Sequence, residues 1–198
     1  VDQARQYLPD TSKAADVVDF VVADYLENPD GDDWERTRDH IYARYQRDAR
    51  DYGFVYRGWL ESSVNFATGL MALLYGEGDY RRTVQIGTLS GWDSDNGTAT
   101  MGGLLGLMFG YEALAAEFPG VALSDRYHIH RTRPSLPDYL PDDPAAEDTF
   151  VMMAERMLPY VERAIVEAGG SIDGDSWSLP PLPLTDPLSR NPLVQLYR

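Results

Sequence analysis

Cysteine is absent from the 198 residues, which excludes disulfides and thiolate catalysis and fits a cytoplasmic protein. Basic residues are also short. Seventeen Lys and Arg stand against 32 Asp and Glu, a formal net charge of −15. So acidic a chain repels a phosphate backbone, so no nucleic-acid partner is expected. It does not exclude an anionic nucleotide, because a bound divalent cation inverts the local field. Of the three histidines, His128 and His130 share one side of an extended segment, but no thiolate and no third nearby histidine supports a zinc site. Arg126, Arg131 and Arg133 beside them could pair with the acidic body or grip a diphosphate. A long uninterrupted apolar run is missing too. The best one, Met101 to Ala116, is broken by Gly103, Gly106, Gly110 and Glu112, so no membrane span is expected. No signal peptide is recognisable, and the first residue is Val1.

What is present is enough apolar material, 43% of the chain, for a core in one domain or most of one. The pattern is predominantly helical. Thr11 or Ser12 can cap a helix to about Glu27, with Ala15, Val18, Val22, Tyr25 and Leu26 as its apolar stripe. Asn28-Pro29-Asp30-Gly31 ends it, and Asp32 or Asp33 can cap a second helix over 34–50. A third helix is expected over 60–74 and a fourth over 80–89. Ser62, Ser63 and Asn65 near the start of the third can cap it or bind a sugar or phosphate. A fifth, over 97–117, carries Thr98, Gly102, Gly106 and Gly110 on one face. Glycines there predict close approach of neighbouring helices, and apolar residues nearly all round predict a central, buried helix. After a proline-rich connector, 134–144, a last helix is expected over 145–168. It is followed by a turn at Asp173-Gly174-Asp175 and a proline-rich extended tail.

The most informative stretch is Gly91-Trp92-Asp93-Ser94-Asp95-Asn96, directly before the glycine-rich helix. Asp93 and Asp95, two residues apart, can aim at one point only from a turning or extended backbone. Paired carboxylates repel, so the arrangement makes sense around a hard cation such as Mg²⁺ or Mn²⁺, with the Asn96 amide oxygen as a further ligand. The competing assignment is that Asp95 or Asn96 caps the helix. An EF-hand is excluded, because Thr98 and Leu104 stand where its glycine and closing glutamate would be.

Gly91-Trp92-Asp93-Ser94-Asp95-Asn96, with Ala99, Gly102-Gly103 and Gly106 after it, resembles the C-terminal metal motif of the ADP-ribosylglycohydrolase family, Gly-Gly-Asp-x-Asp-Thr followed by a helix of small residues. The preceding helix from Val64 to Tyr75, the Gly78–Tyr80 turn and Arg82 to Gly87 extend the likeness, which is good from about Asp16 to Phe118. Trp92 stands for the second glycine of the motif and Asn96 for its threonine. The resemblance implies that 1–170 form the C-terminal part of an all-α, compact multi-helix domain, and the proline content marks 171–198 as an extended tail. It implies a metal-dependent hydrolase that cleaves the glycosidic bond at C1 of an ADP-ribosyl group on a protein or a small molecule. Two ions, Mg²⁺ or Mn²⁺, would occupy the complete site. Asp93, Asp95 and Asn96 would supply one share of the ligands, and Trp92, Ser63 and Asn65 would touch substrate. The remaining ligands and the general base belong to an N-terminal half not found in this chain, so the catalytic residues are unassigned. That missing half or another polypeptide is expected to complete the site. The alternative is a non-catalytic crystallin-like or nucleotide- or sugar-binding member of the same fold.

Overall fold

The computed structural model describes residues 1–125 and 149–180. Residues 1–119 build one compact unit, and the described part of 120–183 builds a second. The all-α expectation holds. Among the described residues seven α-helices carry the fold, and the only strands are one short hairpin.

In the first unit a short α1 (Asp2–Arg5) leads to α2 (Lys13–Glu27), whose start is fixed by Ser12 Oγ accepting the Ala15 N–H. Asp30 accepts the Asp32 N–H in the turn that follows. The second expected helix is shorter than its charge pattern suggests. α3 (Trp34–Tyr42) passes into a π-helical turn over Ala43–Arg47 and a 3₁₀ turn over Ala49–Tyr52. The widened turn brings Tyr45 edge-on between Phe20 and Phe54. Then come α4 (Ser62–Gly76), α5 (Tyr80–Leu89), capped by Asp79 on the Arg82 N–H, and α6 (Ser94–Ala116).

The central helix is α4, not α6. α4 packs against α2, α3, α5 and α6, and Val64, Ala67, Leu70, Met71 and Tyr75 lie in the core with Val17, Val21 and Ile41. Its C-terminal end is anchored through the buried Tyr75 hydroxyl, which donates to the Asn28 carbonyl at 2.6 Å and lies 2.7 Å from Thr37 Oγ1. By contrast α6 buries only Met101, Gly102 and Leu105, while Leu107 is 86% exposed and Met108 70% exposed.

Small residues set how α4, α5 and α6 meet. A Cβ on Gly76 would come 2.9 Å from the Thr83 Cα, and one on Gly97 would sit 3.6 Å from the Gly69 Cα. Gly87 faces Thr98, and Gly102 faces the Tyr80 ring. The expected glycine face of α6 is therefore a packing face in its first half only. A Cβ on Gly106 would meet nothing but Leu114 of α6 itself, and Gly110, at φ 78° and ψ 167°, breaks the helix.

That break also bears on the membrane. By length and composition α6 is long and apolar enough to cross a bilayer, contrary to the expectation from sequence. Its unbroken part, Ser94 to Phe109, measures only about 24 Å at ~1.5 Å per residue, short of a hydrocarbon core of about 30 Å.

The second unit holds α7 (Phe150–Glu167), capped by Thr149 on the Met152 N–H. β1 (Ser171–Asp173) and β2 (Ser176–Ser178) follow, turned at Asp173-Gly174-Asp175 as expected. The hairpin occupies the first residues of the expected tail. Along α7 only Ile165 is buried. His128, His130, the neighbouring arginines, the connector over 134–144 and the end of the tail lie outside the described residues.

Candidate functional site

The acidic turn is shaped by two successive residues with positive φ, Gly91 at 93° and Trp92 at 54°. A left-handed tryptophan is costly, and it stands at the second glycine of the motif. Two contacts hold it there. Its indole packs against the core cluster, and Nε1 donates to Gln46 Oε1 at 2.6 Å. Trp92 therefore serves the turn from the inside, its ring half-buried against the core.

Asp93 occupies the N-cap position of α6, yet its side chain makes no capping bond. The bond to the helix comes from its carbonyl, which accepts the Asn96 N–H at 3.0 Å. Asp95 lies in the first helical turn and Asn96 just behind it, both exposed. Neither is the cap, so capping does not explain the motif. The Asp93 carboxyl is held above its ordinary range, first by desolvation in its half-buried position, then by the Asp95 charge and a shared hydrogen bond with Asp95. Like charges two residues apart repel, and that repulsion is what a cation relieves. Hard oxygen donors at the positive end of α6 fit Mg²⁺ or Mn²⁺ as part of a coordination shell. Among the described residues no group of three His, Asp or Glu side chains forms a fuller site.

Beside the turn lies a cleft of about 300 Å³. Asp93, Asn96 and Thr100 form part of its polar lining, and Leu60, Phe66 and Met101 its apolar part. Ser62 lines it rather than its neighbour Ser63. Asn65 also borders the cleft, but it is 8% exposed and its amide is engaged by backbone on three sides.

The cleft residues not anticipated from sequence had signals of their own. Phe66 lies off the core stripe of α4, 38% exposed, an aromatic without a packing reason on that side. Thr100 and Met101 follow Asn96 and Gly97 by four residues and so share their face of α6. Gln46 had no such signal, because its position depends on the π-helical turn.

No curated protein matches the chain, and no solved structure does. A family model does match, described as ADP-ribosylglycohydrolase, over residues 1–148. That span holds α1 to α6, the acidic turn and the whole cleft lining. The chain thus belongs to the ADP-ribosylglycohydrolase family.

Proposed function

We propose that this chain carries one part of a metal-dependent glycohydrolase site that cleaves the bond at C1 of an ADP-ribosyl group. ADP-ribosylglycohydrolase-type hydrolysis follows from membership of the family. Metal-dependent cleavage at C1 is supported by one observation above others: Asp93 stands at the N-cap of α6 without capping it, and its carboxyl, held above the ordinary range by desolvation and then by the Asp95 charge, is free to take a cation.

In this reading Asp93, Asp95 and the Asn96 amide oxygen would hold Mg²⁺ or Mn²⁺, and a bound ion would orient and polarise ribose hydroxyls and a water. Asp93 and Asp95 must both be ionised to serve, and the N-terminal end of α6 favours that. Leu60, Phe66 and Met101 offer an apolar wall for the organic part of the substrate and keep water from that side. The substrate is an ADP-ribosylated protein or a small ADP-ribose-type molecule.

Three oxygen groups leave most of an octahedral shell open. The remaining ligands and the general base, in this reading, come from a further N-terminal segment or another polypeptide. Two ions then occupy the complete site. The test is release of free ADP-ribose from ADP-ribosylated substrates by residues 1–198, with Mg²⁺ or Mn²⁺, alone and with a supplied N-terminal half of a family member. Turnover only with the added half supports the reading. Full turnover by the chain alone would refute the need for a partner segment. Metal binding without turnover in either case would favour the binding-protein alternative.

A further inference from the structure

Asn65 bonds at once to the acidic turn and to the segment that carries Leu60. Its Oδ1 accepts the Asp93 backbone N–H at 3.0 Å. Its Nδ2 donates to the carbonyls of Trp59 at 2.8 Å and Glu61 at 3.0 Å. The orientation of the amide is fixed by chemistry. The reverse would set its oxygen against two carbonyls and its N–H groups against an N–H. Both amide hydrogens are therefore occupied, and none remains for a sugar or phosphate.

Trp59 and Glu61 flank Leu60 in the chain, and Leu60 lines the cleft that Asp93 also lines. Leu60 borders a second cleft of about 280 Å³ as well, with Arg57, Trp59 and Glu61. One buried amide thus holds the Leu60 wall and the Asp93 backbone to the same point of α4. Asp93 lacks a capping bond of its own, so this contact is the one made by its own N–H.

We infer that Asn65 is a positioning residue rather than a substrate contact: it sets where Asp93 presents its carboxylate and how far the Leu60 wall stands from it. This rests on the metal reading of Asp93 and Asp95. It assigns to Asn65 the part that outer residues take at metal sites, where they orient the ligands they touch and where their loss typically weakens metal binding about 10- to 100-fold.

The test compares Mn²⁺ binding by the 198-residue chain and by Asn65→Leu, which keeps the branched four-atom side-chain skeleton and removes all three bonds. Free Mn²⁺ is followed by electron paramagnetic resonance, well below both melting temperatures, with near-ultraviolet circular dichroism confirming the fold. The expected result is affinity about tenfold or more below that of the unsubstituted chain. Asn65→Gln, which displaces the same amide by one methylene, should fall between the two and serves if Asn65→Leu does not fold. Equal Mn²⁺ affinity in unsubstituted and substituted chains would overturn the inference and leave the metal reading standing. Absence of Mn²⁺ binding by the unsubstituted chain would overturn both. Amide exchange by NMR reads the contact without any substitution: the Asp93 N–H should be protected in the metal-free chain. Exchange there at the rate of an open chain would also overturn the inference.

Discussion

Helices α4 and α6 are built from similar material and end up in opposite surroundings. Both are apolar on most sides and rich in small residues. α4 is buried along nearly its whole length, whereas α6 is buried only through Met101, Gly102 and Leu105. The difference lies in neighbours rather than hydropathy. α4 has α2 and α3 on one side and α5 and α6 on the other. α6 has α4 and α5 beside its first half, where Gly97 meets Gly69 and Gly102 meets Tyr80. Beyond Gly106 no residue of α6 is buried, and Leu107, Met108, Phe109 and Tyr111 are exposed, although Phe109 and Leu114 still border a cleft with Gly78 to Tyr80. An apolar, glycine-studded helix is therefore central only where other elements reach it, and the packed half of α6 is the half that presents the acidic turn.

Substitutions at glycine should separate the two regions most sharply. Gly76→Ala forces its Cβ against the Thr83 backbone at the α4–α5 crossing. It is expected to cost about 3 kcal/mol, at the upper end for an overpacked core. Gly106→Ala, in the open half of α6, should instead be neutral or stabilising by up to about 1 kcal/mol through helix propensity. Urea unfolding of both variants checks the pair. Equal destabilisation would mean that the second half of α6 is packed after all.

The next largest effect is expected at the entry to α6. Trp92→Ala removes a half-buried indole and its bond to Gln46, while easing the left-handed backbone little. A loss of about 2 kcal/mol is expected, below the range for a fully buried tryptophan. An unchanged midpoint would show that the indole is not what holds the turn.

A smaller effect should follow pH. The Asp93 carboxyl is raised above its ordinary 3.8. A raised carboxyl means that the folded state holds the proton more tightly than the unfolded chain, so its ionisation weakens the metal-free fold. Asp93→Asn should therefore melt higher than the unsubstituted chain at neutral pH without metal. The gain should fade as pH falls through the folded value and vanish below about 3.8. Asp19, lowered by its bond to Arg5, works in the opposite sense: its contribution is present at neutral pH and lost as acid protonates it. A melting difference between Asp93→Asn and the unsubstituted chain that is flat with pH would remove the electrostatic account of the turn.

Much of the fold is legible in the residues because local rules decide it. Ser12 caps α2, α5 occupies the expected span, and Asp173-Gly174-Asp175 turns the chain. The acidic pair was legible for the same reason, since two carboxylates two residues apart before a helix have few uses. What was not legible depends on distant partners. The exchange of α4 for α6 as central helix rests on which helices pack where. The end of regular helix at Tyr42 rests on the π-helical turn that seats Tyr45. The role of Asn65 rests on Trp59, Glu61 and Asp93 being brought to one amide, and only the last of these is far along the chain.

In the proposed function the packed half of α6 presents a metal-binding turn. Isothermal titration with Mn²⁺ of the 198-residue chain, set beside Asp93→Asn combined with Asp95→Asn, tests it directly. Weak binding by the unsubstituted chain, abolished in the double variant while the fold persists by circular dichroism, is the predicted result. Identical heats from the two proteins would contradict it.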